Sequence, residues 1–396
     1  MSDLTLGDVL RLHGGAIKTG PFGTVLKASE YRPDGVPVIS VGEVGYGSLR
    51  IHSTTPRVGA ETLARLPEYT LSTGDVVFGR KGAVDRSAWV KPHEDGYFLG
   101  SDGIRVRFEG AVDSRFMAFQ LQSERARRYL LQHAAGTTML SLNQGTLESV
   151  PVVLPPLNEQ RGIAEVLGAL DDKIAANERL RSIIDELVAA LFDRATDGVA
   201  WGALGEVASV NDVSRKPSTG TLRYLDIASV GVGTYESPLP TPWATAPGRA
   251  RRGVRRGDTI WSTVRPNRRS HALVLDDDPS IVASTGLAVI TPKLGCFAFV
   301  YEATKSEAFI GYLESVAEGS AYPAVRADRF LAAPVPAPPH EEVIKFETAA
   351  APMRERAALA ASESERLATA RDELLPLLMS GQIRVKDAES AVGEVL

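Results

Sequence analysis

Arginines are the residues of this 396-residue sequence best placed to do chemistry. Residues 249–269 hold Arg249, Arg251, Arg252, Arg255, Arg256, Arg265, Arg268 and Arg269 against one acid, Asp258. Guanidinium groups this close in sequence repel one another unless an anion lies among them. The planar fork of arginine binds phosphate, or the O6/N7 edge of guanine, through two parallel hydrogen bonds. A weaker cluster stands earlier, Arg80, Lys81 and Arg86, with Arg105 and Arg107 further on. Arg80, Lys81 and Arg86 follow Gly74-Asp75 and a short apolar run, as Arg265, Arg268 and Arg269 follow Gly257-Asp258. Asn143 and Asn267 add amides of the kind that pairs with adenine. The alternative is a solvated basic face balanced by acids elsewhere, and the equivalent placement of the two clusters argues against it.

Catalytic signatures are missing from the sequence. It has no G-x-x-x-x-G-K-[ST] phosphate loop and no G-x-S-x-G nucleophile elbow. Gly231-Val232-Gly233 lacks the third glycine of a dinucleotide fingerprint and reads as a turn. His13, His52, His93, His133, His271 and His340 are scattered without metal-ligand spacing. One cysteine, Cys296, excludes a disulfide framework and a multi-cysteine zinc site; it lies in an apolar run and reads as core. Residues 1–15 have no basic start followed by an apolar core, so a signal peptide is not expected. No run of 18 apolar residues exists to span a membrane, and a reducing cytoplasm is the expected setting.

The formal net charge of −5 argues at first against a nucleic-acid partner. Its distribution reverses that inference. Residues 1–157 carry 17 Lys+Arg against 16 Asp+Glu, and residues 201–339 carry 15 against 13. Residues 158–200 carry 5 against 9, and residues 340–396 carry 7 against 11. Two neutral-to-basic segments therefore alternate with two acidic ones, and local fields decide binding.

The same four segments form a repeat. At an offset of 183 residues, identities recur without a gap from Gly74/Gly257 to Glu159/Glu342, well above the roughly five that average residue usage gives by chance. They include Arg86/Arg269, Phe116/Phe299, Ser123-Glu124/Ser306-Glu307 and Pro155-Pro156/Pro338-Pro339. Asp185-Glu186-Leu187 matches Asp372-Glu373-Leu374 at 187, so four extra residues are expected in the second copy, about one helical turn. Each copy opens with short apolar runs between Gly and Pro, at 36–41, 75–78 and 104–108 and at 222–227, 259–261 and 287–291, which read as strands. Residues 116–132 read as one helix closed by Gly136. Each copy then ends in a long helix. In the first, Asn158 is the expected N-cap, with apolar residues at Ile163, Leu167, Leu170, Ile174, Leu180, Ile184, Leu187 and Leu191. In the second, a heptad seam runs from Phe346 through Ala350, Met353, Ala357, Ala360, Ser364, Leu367, Arg371 and Leu374 to Leu378. Pro352 should kink that helix or confine its regular part to the C-terminal side, and Gly381 should stop it. The expected fold is α+β: two mixed α/β domains, 1–157 and 201–339, separated by two long antiparallel helices, 158–200 and 340–396, as a pseudo-twofold internal repeat. The alternative packs each helix only on its own domain.

The run Pro155-Pro156-Leu157-Asn158-Glu159-Gln160-Arg161-Gly162-Ile163-Ala164 resembles the opening of a conserved region in specificity (S) subunits of Type I restriction–modification systems. The ending Arg371-Asp372-Glu373-Leu374-Leu375-Pro376 through Gly381 to Arg384 resembles the C-terminal end of the same family. The segments from Gly74 to Gly82 and from Gly257 to Pro266 resemble its strand-and-arginine element. The second copy departs at Pro338-Pro339-His340-Glu341-Glu342 and at Lys345-Phe346.

The resemblance implies a non-catalytic subunit. Its two target-recognition domains would each read half of a split double-stranded DNA sequence, while the helices set half-site spacing and dock two methyltransferase (M) subunits. Restriction/translocase (R) subunits would join the full complex. Cofactors (S-adenosylmethionine, ATP and magnesium) would belong to the partner subunits and none to this chain. On this reading Arg80, Arg86, Arg265, Asn267 and Arg269 lie near bases. Arg249, Arg251, Arg252, Arg255 and Arg256 lie mainly at phosphates, with Lys81, Arg105, Asn143 and Arg268 in the same interface. Glu159, Gln160, Ile163 and Leu167 would face a partner subunit. Other readings remain open: a DNA-recognition adaptor of another phage-defence system, an autonomous DNA enzyme, or a scaffold that binds only proteins.

Overall fold

The computed structural model describes residues 4–136, 138–319 and 323–393. Its chain forms two compact units, Met1–Ala175 with Ser364–Leu396, and Ala176–Glu363.

In the first unit the alternating run around Ile104 becomes a central strand, Gly103–Phe108, of a four-stranded antiparallel sheet. Its neighbours are Gly15–Thr19 on one side and Val76–Gly79, then Ser87–Trp89, on the other. Successive strand residues point to opposite faces. Val76, Phe78, Ile104 and Val106 therefore pack on one face with Phe116, Leu121 and Leu130 of the helices. Val77 turns to the other face and joins Ile39, Ala88 and Leu99. A second sheet covers that face, in the order Tyr31–Arg32, Arg57–Val58, Val36–Ile39, Phe98–Leu99, with Val38 and Phe98 paired in parallel. The single helix expected at 116–132 is two, Ser114–Gln122 and Glu124–His133. Ser123 breaks it because its hydroxyl accepts from Ala126 N at 3.3 Å and caps the second piece.

The second unit has the same parts. Ala208–Val210, Leu287–Pro292, Thr259–Ser262 and His271–Leu273 form the antiparallel sheet. Pro240–Pro242, Thr221–Leu225, Ile281–Ser284 and Ala250–Gly253 form the second, with Tyr224 parallel to Val282. Phe297–Ala303 and Glu307–Ser315 are the helices.

The long helices run Leu157–Thr196 and His340–Ser380, 40 and 41 residues. They differ by one residue, so the four-residue shift in the sequence match is not expressed as an extra turn. The first begins at Leu157: Pro156 O accepts from Glu159 N and Gln160 N, which puts Asn158 in the first turn instead of at the cap. In the first unit Ile163, Leu167 and Leu170 share a core with Leu367 and Leu378. In the second, Ile184, Val188 and Phe192 share one with Phe346 and Ala350. Leu187, expected in the stripe, is 46% exposed, because a straight helix drifts from a 3.5-residue repeat by about 20° per heptad. Within the second unit Asn177 meets Glu363 at 2.7 Å and Asp185 meets Arg354, so these helix segments are antiparallel. The helix runs through Pro352 as one element, so its regular part is not confined to the C-terminal side. Gly381, at φ +71°, ends it, and Gln382 N donates back to Leu377 O at 3.0 Å. A short helix, Val385–Gly393, follows and buries Ala388 and Val392 in the first unit's core.

Candidate nucleic-acid interface

Arg80, Lys81 and Arg86 in the first unit, and Arg265, Arg268 and Arg269 in the second, sit on a hairpin loop at the end of the same strand, whereas Arg249 to Arg256 lie on and beside the strand Ala250–Gly253. The loop bases are held alike. Gly82 N donates to Leu140 O and Arg265 N to Pro323 O, both at 2.8 Å. Leu142 N donates to Arg80 O, and Val325 N to Thr263 O. Gly82 and Arg265 are therefore structural counterparts, and both have left-handed backbone, φ +73° and φ +52°. Beyond that point the loops diverge. The first hairpin closes on Phe78 opposite Ser87, the second on Trp261 opposite His271, one residue later. Gly79 N meets Arg86 O where Ser262 N meets Ser270 O. Arg86 thus corresponds to Ser270, which corrects its gapless match with Arg269. The inserted residue lets the second loop form a turn, Pro266–Arg268, flanked by Arg265 and Arg269, both left-handed. For residues with a side chain, that conformation costs roughly 1–2 kcal/mol each.

Several expected contact residues are committed elsewhere. Arg105 lies on the sheet face that the second sheet covers; it is buried and donates to Glu68 O and Thr70 O at 3.1 and 3.2 Å. Burial pushes its pKa below the usual arginine value, with Arg107 adding to the effect. Asn143 caps the helix Gln144–Glu148: its Oδ1 accepts from Thr146 N at 2.8 Å and Thr146 Oγ1 at 3.3 Å, leaving no free acceptor for adenine. Arg256 reaches Leu275 O, Asp277 and Glu355, and Arg269 forks onto Glu307 at 2.6 and 2.8 Å. Arg105 and Asn143 are structural residues, which corrects the expectation for them.

The remaining groups are accessible. Arg249, Arg255, Asn267 and Arg268 are exposed; Arg251, Arg252 and Arg265 are half-buried. In the first unit Lys81 lies 3.1 Å from Asp102. Arg80 donates to Ser101 O and stacks 4.4 Å from the Phe22 ring centre. Arg86 lies 5.4 Å and Arg127 4.5 Å from the ring of Tyr46. Phe22, Tyr46 and Arg127 escaped the sequence reading because each is remote from the arginine cluster along the chain.

The acid of each Gly-Asp pair holds the preceding turn. Asp75 accepts from Ser72 N, and Asp258 from Arg255 N at 2.8 Å. Asp75 also takes a fork from Arg107 at 2.7 Å, a guanidinium partner that Asp258 does not have among the described residues. Without an arginine, burial holds the Asp258 carboxyl above the ordinary aspartate value. Behind the second loop, His271 stacks 4.9 Å from Trp261 and hydrogen-bonds Arg269 O through Nδ1. Burial lowers its pKa to about 4.

The residues at the helix entrance have an internal role. Gln160 is 1% exposed; its Oε1 accepts from Asp113 N and its Nε2 donates to Pro155 O, both at 2.8 Å. Ile163 and Leu167 are core. None of the three is a surface for a partner, which corrects the expectation; Glu159 is exposed. The second copy solves the same joint differently. Asp113 caps the helix Ser114–Gln122 through Phe116 N, but its counterpart is Cys296, which cannot. Glu347, where the first long helix has Ala164, supplies the cap instead, accepting from Ala298 N and Phe299 N at 3.0 and 2.9 Å.

Among the described residues no group of three or more His, Cys, Asp or Glu could hold a metal. No described helix is long and apolar enough to cross a membrane.

Fold and site together define a duplicated α+β protein in which each repeat joins two sheets to a segment of paired long helix and presents arginines on a hairpin loop. Residues 3–186 match the family described as the Type I restriction modification DNA specificity domain. The Type I restriction enzyme MjaVIII specificity subunit of Methanocaldococcus jannaschii is 24% identical over 169 residues, 41% of this chain and 40% of that protein. The match thus spans less than half of that relative's length. A crystal structure of the Type-I restriction-modification system S subunit from M. genitalium is similar with a TM-score of 0.64 over 96% of either chain, at 14% identity, which shows a shared fold.

Proposed function

We propose that this chain is the DNA-recognition subunit of a Type I restriction–modification complex and catalyses no step itself. Residues 1–157 and 201–339 act as target-recognition domains, each reading one half of an asymmetric bipartite site on double-stranded DNA. Residues 158–200 and 340–396 act as helical spacers that set half-site separation and dock two methyltransferase subunits. Restriction/translocase subunits complete the assembly, in the cytoplasm with the DNA it reads. The observation that carries this reading is the basic hairpin loop, held by the same backbone hydrogen bonds in both units. Arg80, Lys81 and Arg86 in one loop, and Arg265, Asn267 and Arg268 in the other, are the proposed base-side groups. Arg249 and Arg255 are proposed phosphate contacts that fix register without reading sequence. Binding of the full chain to duplex DNA across a salt series tests it. Affinity should fall linearly on a log–log plot, by about 0.9 log unit per log unit of salt for each phosphate contacted. Salt-independent binding, or none, contradicts it.

A further inference from the structure

Beside the first hairpin loop lies a constellation that the described residues of the second unit do not repeat. Tyr46 stands on the segment after Val36–Ile39, and Gly47 N ties that segment to the hairpin at Ser87 O, 2.8 Å away. Tyr46 is 49% exposed, and its ring supports the guanidinium groups of Arg86 and Arg127. Its hydroxyl donates to Asp85 at 2.9 Å, and Asp85 also accepts from Arg127 at 3.0 Å. Burial works against the Asp85 carboxylate, yet the Arg127 and Tyr46 hydrogen bonds hold its pKa below the ordinary value. Two cations, one anion and one ring thus form a half-exposed, net-positive cluster.

In the second unit the equivalent tie is Gly233 N to His271 O, also 2.8 Å, which puts Val232 in the place of Tyr46. Ser270 stands in the place of Arg86. Ile310, a buried residue 183 positions after Arg127, stands in its place. Ring, guanidinium and guanidinium have been replaced together, leaving an exposed valine. Groups that change as a set while the backbone hydrogen bonds persist serve something other than the fold.

The physics indicates what. A guanidinium stacked on an aromatic face keeps its in-plane N–H edge directed outward and loses less conformational freedom when it binds. A phosphate contact needs only charge. Reading the O6/N7 edge of guanine needs a plane held in one orientation. Resting on the reading that these loops face DNA, we propose that Tyr46 is a positioning residue for specificity, which fixes Arg86 and Arg127 to read guanine in one half-site. Val232 puts an apolar surface there in the other unit, suited to a thymine methyl group.

Selection from a duplex pool with two randomised segments, using the full chain, tests this directly. The unsubstituted chain should enrich a bipartite motif. Tyr46→Ala should lose guanine preference at one or more positions of one half-site by roughly tenfold or more, while the other half-site is kept. Tyr46→Phe, which retains the ring, should keep most of it. A Tyr46→Ala chain that enriches the unchanged motif overturns the inference alone. Uniform weakening at both half-sites with a lowered melting temperature also overturns it, making Tyr46 structural. If the unsubstituted chain enriches nothing, the DNA reading itself fails, and this inference with it.

Discussion

Gly82 and Arg265 occupy one backbone position, yet only glycine adopts its left-handed conformation without penalty. Arg265→Gly should therefore stabilise the second unit by about 1 kcal/mol in denaturant unfolding. It should at the same time relax preference at one half-site. A variant that gains stability and keeps full discrimination would mean that Arg265 does not read bases. His271 offers a separate check. Burial holds its folded pKa at about 4, below the unfolded value near 6.5, so the native state binds fewer protons between those limits. Its contribution is present above pH 6.5 and is lost as pH falls through the window toward 4. Melting temperature followed over that range should decline, and His271→Phe should flatten the decline.

At the scale of elements, the helices are locked to their domains by buried polar groups. In the second unit Arg354 joins Asp185 on one helix segment to Glu302 of the domain, 2.5 Å away, with Arg354 and Glu302 side chains 5% and 3% exposed. Arg354→Ala should cost about 3–5 kcal/mol, because it leaves the buried Glu302 carboxylate without this partner. Replacing both groups with apolar residues, as Glu302→Leu with Arg354→Met, should recover much of that loss in chemical denaturation. The strands, the repeat and the helical seam were legible in the sequence because burial imposes a period on residue type. Arg105 was not: its alternation with apolar residues reads as a wet face, and only the second sheet over Val77 and the segment from Glu68 to Thr70 over Arg105 make that face dry. Gln160 was misread for a related reason, since a polar residue in a helix motif looks like surface until its amide is found bonded to Asp113 and Pro155. The exchange of the Asp113 cap for Glu347 could not be read from Cys296 and Ala164 positions singly, because it couples residues about fifty apart.

At the scale of the molecule, the two units share a scaffold and differ in what they present. The first loop carries Arg80, Lys81 and Arg86 beside Phe22 and Tyr46; the second is one residue longer and carries Arg265, Asn267 and Arg268 beside Val232. On the proposed reading, different side chains on loops held by the same backbone hydrogen bonds imply different half-sites. The basic strand edge makes a distinct prediction. Arg249→Ala should reduce the salt slope of binding by about 1 and leave sequence preference unchanged. A changed motif would move Arg249 to the bases. On the proposed reading, one chain reads two unlike half-sites, one per unit. The most direct test is co-expression with a methyltransferase subunit followed by modified-base sequencing of the host DNA. A bipartite, non-palindromic methylated motif, altered in one half only by Arg265→Ala, is the result predicted. A palindromic motif, or one altered equally in both halves, would contradict it.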